Sequence, residues 1–193
     1  HGWQLKRLHH LIMTSSVYRQ SVAFDEKRAM LDRENQFLWR WQPRRLEAEA
    51  IRDALLAVSG QLDTRMYGPG TLDQKMKRRS VYFFIKRSKL IPMMMLFDWP
   101  EHLVSIGQRS RTTIAPQALY LMNSPLVLRA TESMAEALLK EGDLTNAQRV
   151  QRLYAQVFNR PPTVKETQRA VVFINNFAQD RLASWQALSA RYD

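Results

Sequence analysis

The sequence predicts a mainly α-helical protein of six or seven helices, with a small β-hairpin or extended element near residues 80–97. Three observations predict it. Apolar residues recur at three- or four-residue intervals over most of the chain. Helix-start signals crowd the stretch from Arg109 to Glu166. Only one short run, SVYFFIKR from Ser80 to Arg87, is rich in β-branched and aromatic residues.

From Trp3 to Arg19, Leu5, Leu8, Leu11 and Ile12 share one side of a helix, with Lys6, Arg7 and His10 largely opposite. Ser21 to Asn35 loses that period and predicts a loop holding a short helical turn. Phe37, Leu38, Trp39 and Trp41 form an aromatic knot before Pro43. Periodicity returns with Leu46, Ala50, Ile51, Ala54, Leu55 and Val58. Glu47 and Glu49 stand in that helix's first turn, where the backbone dipole favours negative charge, and Gly60 is the expected stop.

Tyr67-Gly68-Pro69-Gly70 is a loop, because glycine and proline both interrupt regular structure. Ser80 to Arg87 is the strand candidate, with Leu90 to Phe97 as its partner or a core-filling segment. Asp98-Trp99-Pro100 ends it. Thr112 or Thr113 is expected to cap the next helix. Ser124-Pro125 places a cap residue before a proline whose missing amide hydrogen suits the first helical position. Gly142 stops that helix, Thr145 or Asn146 starts another, and Thr163 with Glu166 has capping-box spacing. Trp185 and Leu188 are expected to dock a last turn. The expected organisation is one helical domain in three parts: N-terminal helices over 1–65, a loop and small β-element over 66–108, and a helical part over 109–193.

Composition narrows the function classes. At 193 residues the chain can bury a sizeable core. No apolar run approaches the roughly 20 residues that cross a bilayer. There is no cysteine, so disulfides, thiolate zinc sites and cysteine nucleophiles are excluded within this chain. The net charge is +11, and Lys75, Lys77, Arg78, Arg79, Lys86, Arg87 and Lys89 supply +7 of it with no acidic residue among them. Such a patch attracts phosphates or anionic polymers; it also serves as a solvated surface or a docking face for an acidic partner, which is the favoured expectation.

The order of five blocks is more specific than any of these features. They are QLKRLHHLIMTSSVYRQS, RRLEAEAIRDALLAVSGQL, RRSVYFFIKR followed by FDWPE, RSRTTIAPQALYLMNSPLV, and RVQRLYAQVFNRPPTVKE. Together they resemble the planctomycete-type PSD family, the domain of unknown function 1553, and cover nearly the whole chain. The resemblance implies the C-terminal part of a larger exported protein, in the periplasm or cell envelope. The abrupt start at His1-Gly2-Trp3 agrees with a fragment. It also implies that parent proteins often carry a separate cytochrome-c-like haem domain and sometimes carbohydrate-binding modules. No catalytic residue is transferable from it.

The candidate site residues are therefore weighed on their own chemistry. Arg109, Arg111 and Thr112 precede a helix start, where guanidinium groups and free amides suit sulfate, phosphate or a carboxylate. The competing expectation pairs the arginines with Asp98 or Glu49 and leaves the threonine as a cap. His9 and His10 are adjacent, so they face different sides of a helix, and with His102 they make a poor metal set. No metal and no cofactor is expected in this chain. Gln117 and Asn123 are expected to tie helix junctions, and Ser110 and Ser124 have no histidine at nucleophile spacing. Met93, Met94 and Met95 are expected to fill the core rather than edge a haem, and the tryptophans to pack rather than stack on sugars.

Three functions follow in order: an accessory domain packing on other domains of the same polypeptide; a component of an envelope enzyme, redox-linked or acting on polysaccharide, with the anion-binding corner; and a nucleic-acid module using Lys75 to Lys89. The last lacks any reader motif.

Overall fold

A computed structural model describes residues 2–100 and 105–189, with side chains as far as Arg181. His102, and the side chains of Trp185 and Leu188, lie outside the described residues. The fold is mainly α, and the chain forms two compact units, His1–Leu46 and Glu47–Asp193.

The first unit holds α1 (Leu5–Thr14) and α2 (Glu26–Leu31). Ser15 ends α1, its amide and hydroxyl both donating to the Ile12 carbonyl at 3.2 and 2.7 Å. Asp25 caps α2 by accepting from the Arg28 amide, and Glu26 adds the favoured charge to the first turn. Polar ties then organise the loop. Asp32 accepts from the amides of Gln36 and Phe37, while the buried Asn35 exchanges two hydrogen bonds with the Arg40 backbone. Arg40 lies over the rings of Phe24 and Trp39, both at 5.1 Å. No apolar side chain is buried among the described residues of this unit. Leu5, Leu8, Leu11 and Ile12 share the expected face of α1, and all four are exposed.

The second unit is built on α3 (Ala48–Val58), α4 (Pro92–Leu96), α5 (Ala115–Asn123), α6 (Pro125–Lys140), α7 (Asn146–Phe158) and α8 (Val164–Ser189). Its main core gathers Ala48, Phe83, Ile91, Met93, Met94 and Phe97, with Tyr120 edge-on to Phe97 at 6.0 Å. Met94 is fully buried, so the methionine run is core filler, as its flexible thioethers suit. Leu56, Ala130, Met134, Leu138 and Val150 bury a second row on α3, α6 and α7.

The 80–97 segment forms no hairpin. Ser80–Tyr82 is a 3-10 turn, and Pro92 opens a helix through the unbranched methionines. What remains of the β-element is two isolated parallel bridges, Thr71 to Phe83 and Asp63 to Arg78. At the first, the Thr71 amide reaches the Tyr82 carbonyl at 2.9 Å and the Phe84 amide returns to Thr71 at 2.8 Å. Gly70 permits this approach, since a Cβ there would lie 3.2 Å from the Tyr82 oxygen.

Most helix ends fall where the residues predict them. Ser124 caps α6 ahead of Pro125, and Thr145 with Gln148 forms a reciprocal capping box on α7. Thr163 and Glu166 do the same for α8, with amide-to-side-chain distances of 2.8 and 3.3 Å. Two ends differ: α1 stops at Thr14, short of Arg19, and α5 begins two residues past Thr113 at Ala115. Pro116 favours a later start, and the buried Gln117 covers the end by accepting from the Ile114 amide at 3.2 Å.

Candidate functional site

The corner predicted around Arg109 forms where the N-terminus of α3 meets the segment leading into α5. Arg109 Nη1 donates to Glu47 Oε2 at 3.0 Å and to both oxygens of Glu49, at 3.0 and 2.9 Å. Trp99 Nε1 donates to the same Glu49 carboxylate at 2.9 Å. Thr112 turns to Asp98, its amide at 2.7 Å and its hydroxyl at 2.9 Å. Gln117 Nε2 continues the chain of contacts to the Leu96 carbonyl at 3.0 Å.

The charges decide what such a corner attracts. Glu47 and Glu49 bring two carboxylates against the Arg109 guanidinium, while Asp98 takes up Thr112. The positive end of α3 is therefore already met by Glu47 and Glu49, the arrangement its dipole favours. Arg111 is exposed and forms no ion pair or hydrogen bond among the described residues. The geometry is that of a junction tie between α3, α4 and α5, with the anion position occupied by the protein's own carboxylates.

The seven cations predicted as one basic patch separate into four settings. Arg78 is half-buried: it stacks over the Tyr82 ring at 3.5 Å and donates to the carbonyls of Tyr67 and Pro69. Arg79 lies 3.9 Å from Asp53. Lys86, Arg87 and Lys89 are exposed on the segment before α4. Lys75 and Lys77 instead line a concavity of about 290 Å³ with Arg129 of α6, Gln61, Gln74, Leu56, Met76 and Leu126. Sequence reasoning missed Arg129, which lies far along the chain and on a helix whose period reports only its apolar side. A hydrogen bond from Gln61 Nε2 to the Arg129 carbonyl, 3.1 Å long, joins the two walls.

A second arginine escaped the sequence. Arg52 falls opposite the apolar period of α3, where a charged residue ordinarily faces water, yet it is only 2% exposed. It donates to the Arg78 carbonyl at 3.0 Å, to the Met76 carbonyl and to Ser80 Oγ at 3.3 Å, and its guanidinium lies 4.7 Å from the Phe83 ring centre. Burial pulls its pKa below the usual arginine value, opposed by the nearby charge of Asp53. Asp53 in turn accepts from the Ser80 amide and hydroxyl at 2.8 and 2.6 Å. The pair pins the 76–80 segment, and with it Lys75 and Lys77, to α3.

Near the same pocket the Asp63 carboxyl is held below its ordinary value by hydrogen bonds from Arg65, at 2.7 Å to the guanidinium. His9 and His10 are exposed on α1, and no group of three metal-ligating side chains converges among the described residues. None of the described helices is long and apolar enough to cross a membrane.

No curated protein and no solved structure matches the chain. One family model does, over residues 1–174, and on that match the chain belongs to the PSD1 family, proteins of unknown function (DUF1553).

Proposed function

We propose that the chain is an accessory, interaction-making domain of a large exported bacterial protein, packing against other domains of the same polypeptide. The supporting observation is the bare apolar side of α1. Leu5, Leu8, Leu11 and Ile12 are 66%, 49%, 61% and 47% exposed on one helical face. Trp3 and these leucines rim a groove of about 470 Å³. Contiguous apolar surface with such a shape is the usual mark of an interface, because exposing it to water is unfavourable. Export to the periplasm or envelope is part of the proposal and draws on the order of the five sequence blocks. An enzyme component acting through Arg109 draws less support, since that guanidinium faces Glu47 and Glu49.

Amide exchange tests it. In the longer polypeptide, the amides of α1 should exchange at least about tenfold more slowly than in the 193-residue chain alone, the factor set by roughly 1.4 kcal/mol of docking. Leu8→Glu with Ile12→Glu should abolish that difference. Equal exchange in the two forms refutes the docking of α1.

A further inference from the structure

We propose that the concavity between the end of α3, the 74–77 segment and α6 binds a small organic anion, one carboxylate or phosphate group carried on an apolar body. This goes beyond the docking of α1 and rests on other residues. Three observations carry it. Lys75, Lys77 and Arg129 converge on one pocket, and none of their side chains forms an ion pair or hydrogen bond among the described residues. No acidic side chain among the described residues lines the pocket. Beneath the cations the lining turns apolar, with Leu56, Met76 and Leu126, while the amides of Gln61 and Gln74 supply neutral polar groups.

Two carboxylates close by in the chain have partners of their own. Asp73 accepts from the Lys75 backbone amide at 2.9 Å, and Asp63 is paired with Arg65. Three cations sharing a concave wall repel one another unless an anion or counterions sit between them, and low-dielectric walls strengthen the attraction for an anion. A guanidinium and two ammonium groups are the donors that carboxylate and phosphate oxygens accept from best. The volume of about 290 Å³ stands at the small end of ordinary ligand pockets and admits one ring with its charged substituent. No aromatic ring among the described residues lines it, so these residues offer no stacking platform of the kind single-stranded nucleic acid uses.

The walls are pre-positioned. The Arg52 and Asp53 contacts fix the 76–80 segment on α3, and the Gln61 bond to the Arg129 carbonyl fixes α6 beside it. A ligand therefore meets a formed site and loses little affinity to ordering it.

Titration of the folded 193-residue chain with phenyl phosphate, inorganic phosphate and neutral benzyl alcohol, followed by amide NMR shifts at low salt, tests the site. Phenyl phosphate is expected to bind one-to-one, tighter than inorganic phosphate, with benzyl alcohol showing no saturable shifts. The shifts should centre on residues 74–77 and the start of α6. Lys77→Gln and Arg129→Gln should each weaken phenyl phosphate about tenfold, the loss of roughly one charge-assisted hydrogen bond. The double variant Lys86→Gln with Lys89→Gln, outside the pocket, should bind as the parent does. Should Arg129→Gln unfold by circular dichroism, Lys75→Gln with Lys77→Gln, both exposed, carries the comparison.

Absence of saturable binding overturns the proposal. So does equal weakening by the Lys86 and Lys89 changes, which signals diffuse attraction. Inorganic phosphate binding as tightly as phenyl phosphate denies the apolar part, and an Asp-rich peptide displacing phenyl phosphate at lower concentration makes the surface a peptide site instead.

Discussion

Arg52→Ala is the most demanding perturbation available, because the guanidinium is buried with its charge and serves several acceptors. Its removal leaves the Met76 and Arg78 carbonyls without their donor; Ser80 Oγ keeps Asp53. Two half-buried acceptors without partners cost about 1 kcal/mol each. Loss of the contact with the Phe83 face adds about 0.5–1 kcal/mol, and loss of the side-chain stem adds about 1 kcal/mol of packing. Relief of the guanidinium's desolvation opposes these terms, and its presence is visible in the lowered pKa. The net expectation is a destabilisation of about 3 kcal/mol, read from urea unfolding monitored by circular dichroism. Arg52→Lys separates geometry from charge. One ammonium cannot span the two carbonyls and lie flat on Phe83, so the lysine variant should lose about half as much. Loss of less than about 1 kcal/mol in Arg52→Ala, or a lysine variant as stable as the parent, refutes the assignment of Arg52 as the tie between α3 and the 76–80 segment.

Other perturbations report on separate contacts. Arg160 at 2.8 Å, and then the Thr163 amide, hold the Glu166 carboxyl down to about 2 from 4.5. Ionised Glu166 therefore stabilises the fold above the unfolded value, and that stabilisation is lost as pH falls from about 4.5 through about 2. Glu166→Gln, which keeps an oxygen for the Thr163 amide, should flatten the melting temperature over that window; an unchanged acid limb refutes the coupling. Met94→Ala should lower unfolding free energy by about 3 kcal/mol by opening a cavity in the main core, and a loss under about 1 kcal/mol would show that the core closes around it. Ser124→Ala removes the oxygen that meets the Val127 amide and should cost about 1 kcal/mol, with no change in the denaturant slope. Arg109→Ala should cost only about 0.5–1 kcal/mol, since the site is 35% exposed and α3 still favours its two carboxylates. Calorimetric titration with sulfate should not distinguish that variant from the parent; a lost binding isotherm would restore the anion-binding corner.

The legible part of the fold was the part written in local rules. Ser124-Pro125, Thr145 with Gln148, and Thr163 with Glu166 place helix starts because each cap needs only residues within one turn. The 80–97 segment was misjudged because β-branched and aromatic content speaks for burial on a pleated surface, not for pairing. Phe83 found its burial against α3 through a 3-10 turn and an isolated bridge. Arg52 was illegible for a related reason. Helical period marks a polar position as outward, and only the segment folded over α3 from Met76 to Ser80 makes that position interior. At the Arg109 corner the residue types left two partners open, an external anion or the chain's own carboxylates. The pairing with Glu47 and Glu49 spans some 60 residues, a separation at which sequence period carries no information.

The basic segment shows why net charge is too coarse a guide to this chain. Counted along the sequence, Lys75 to Lys89 is a single +7 block that ought to behave as one electrostatic surface. Folded, Arg78 is stacked on Tyr82 and bonded to Tyr67, so it is a brace for the Tyr67–Gly70 loop. Arg79 answers Asp53. Lys86, Arg87 and Lys89 face water where counterions screen them within about 10 Å at ordinary salt. Lys75 and Lys77 alone acquire a concave setting and a third cation, Arg129, from a helix that sequence places some 50 residues away. The affinity of the segment for anions should therefore not scale with its charge. Neutralising Lys77 should matter far more than neutralising Lys86, although the two changes are identical by charge count. A uniform effect of the two substitutions would mean that the block acts by its total field after all, and would return the segment to the class of diffuse basic surfaces.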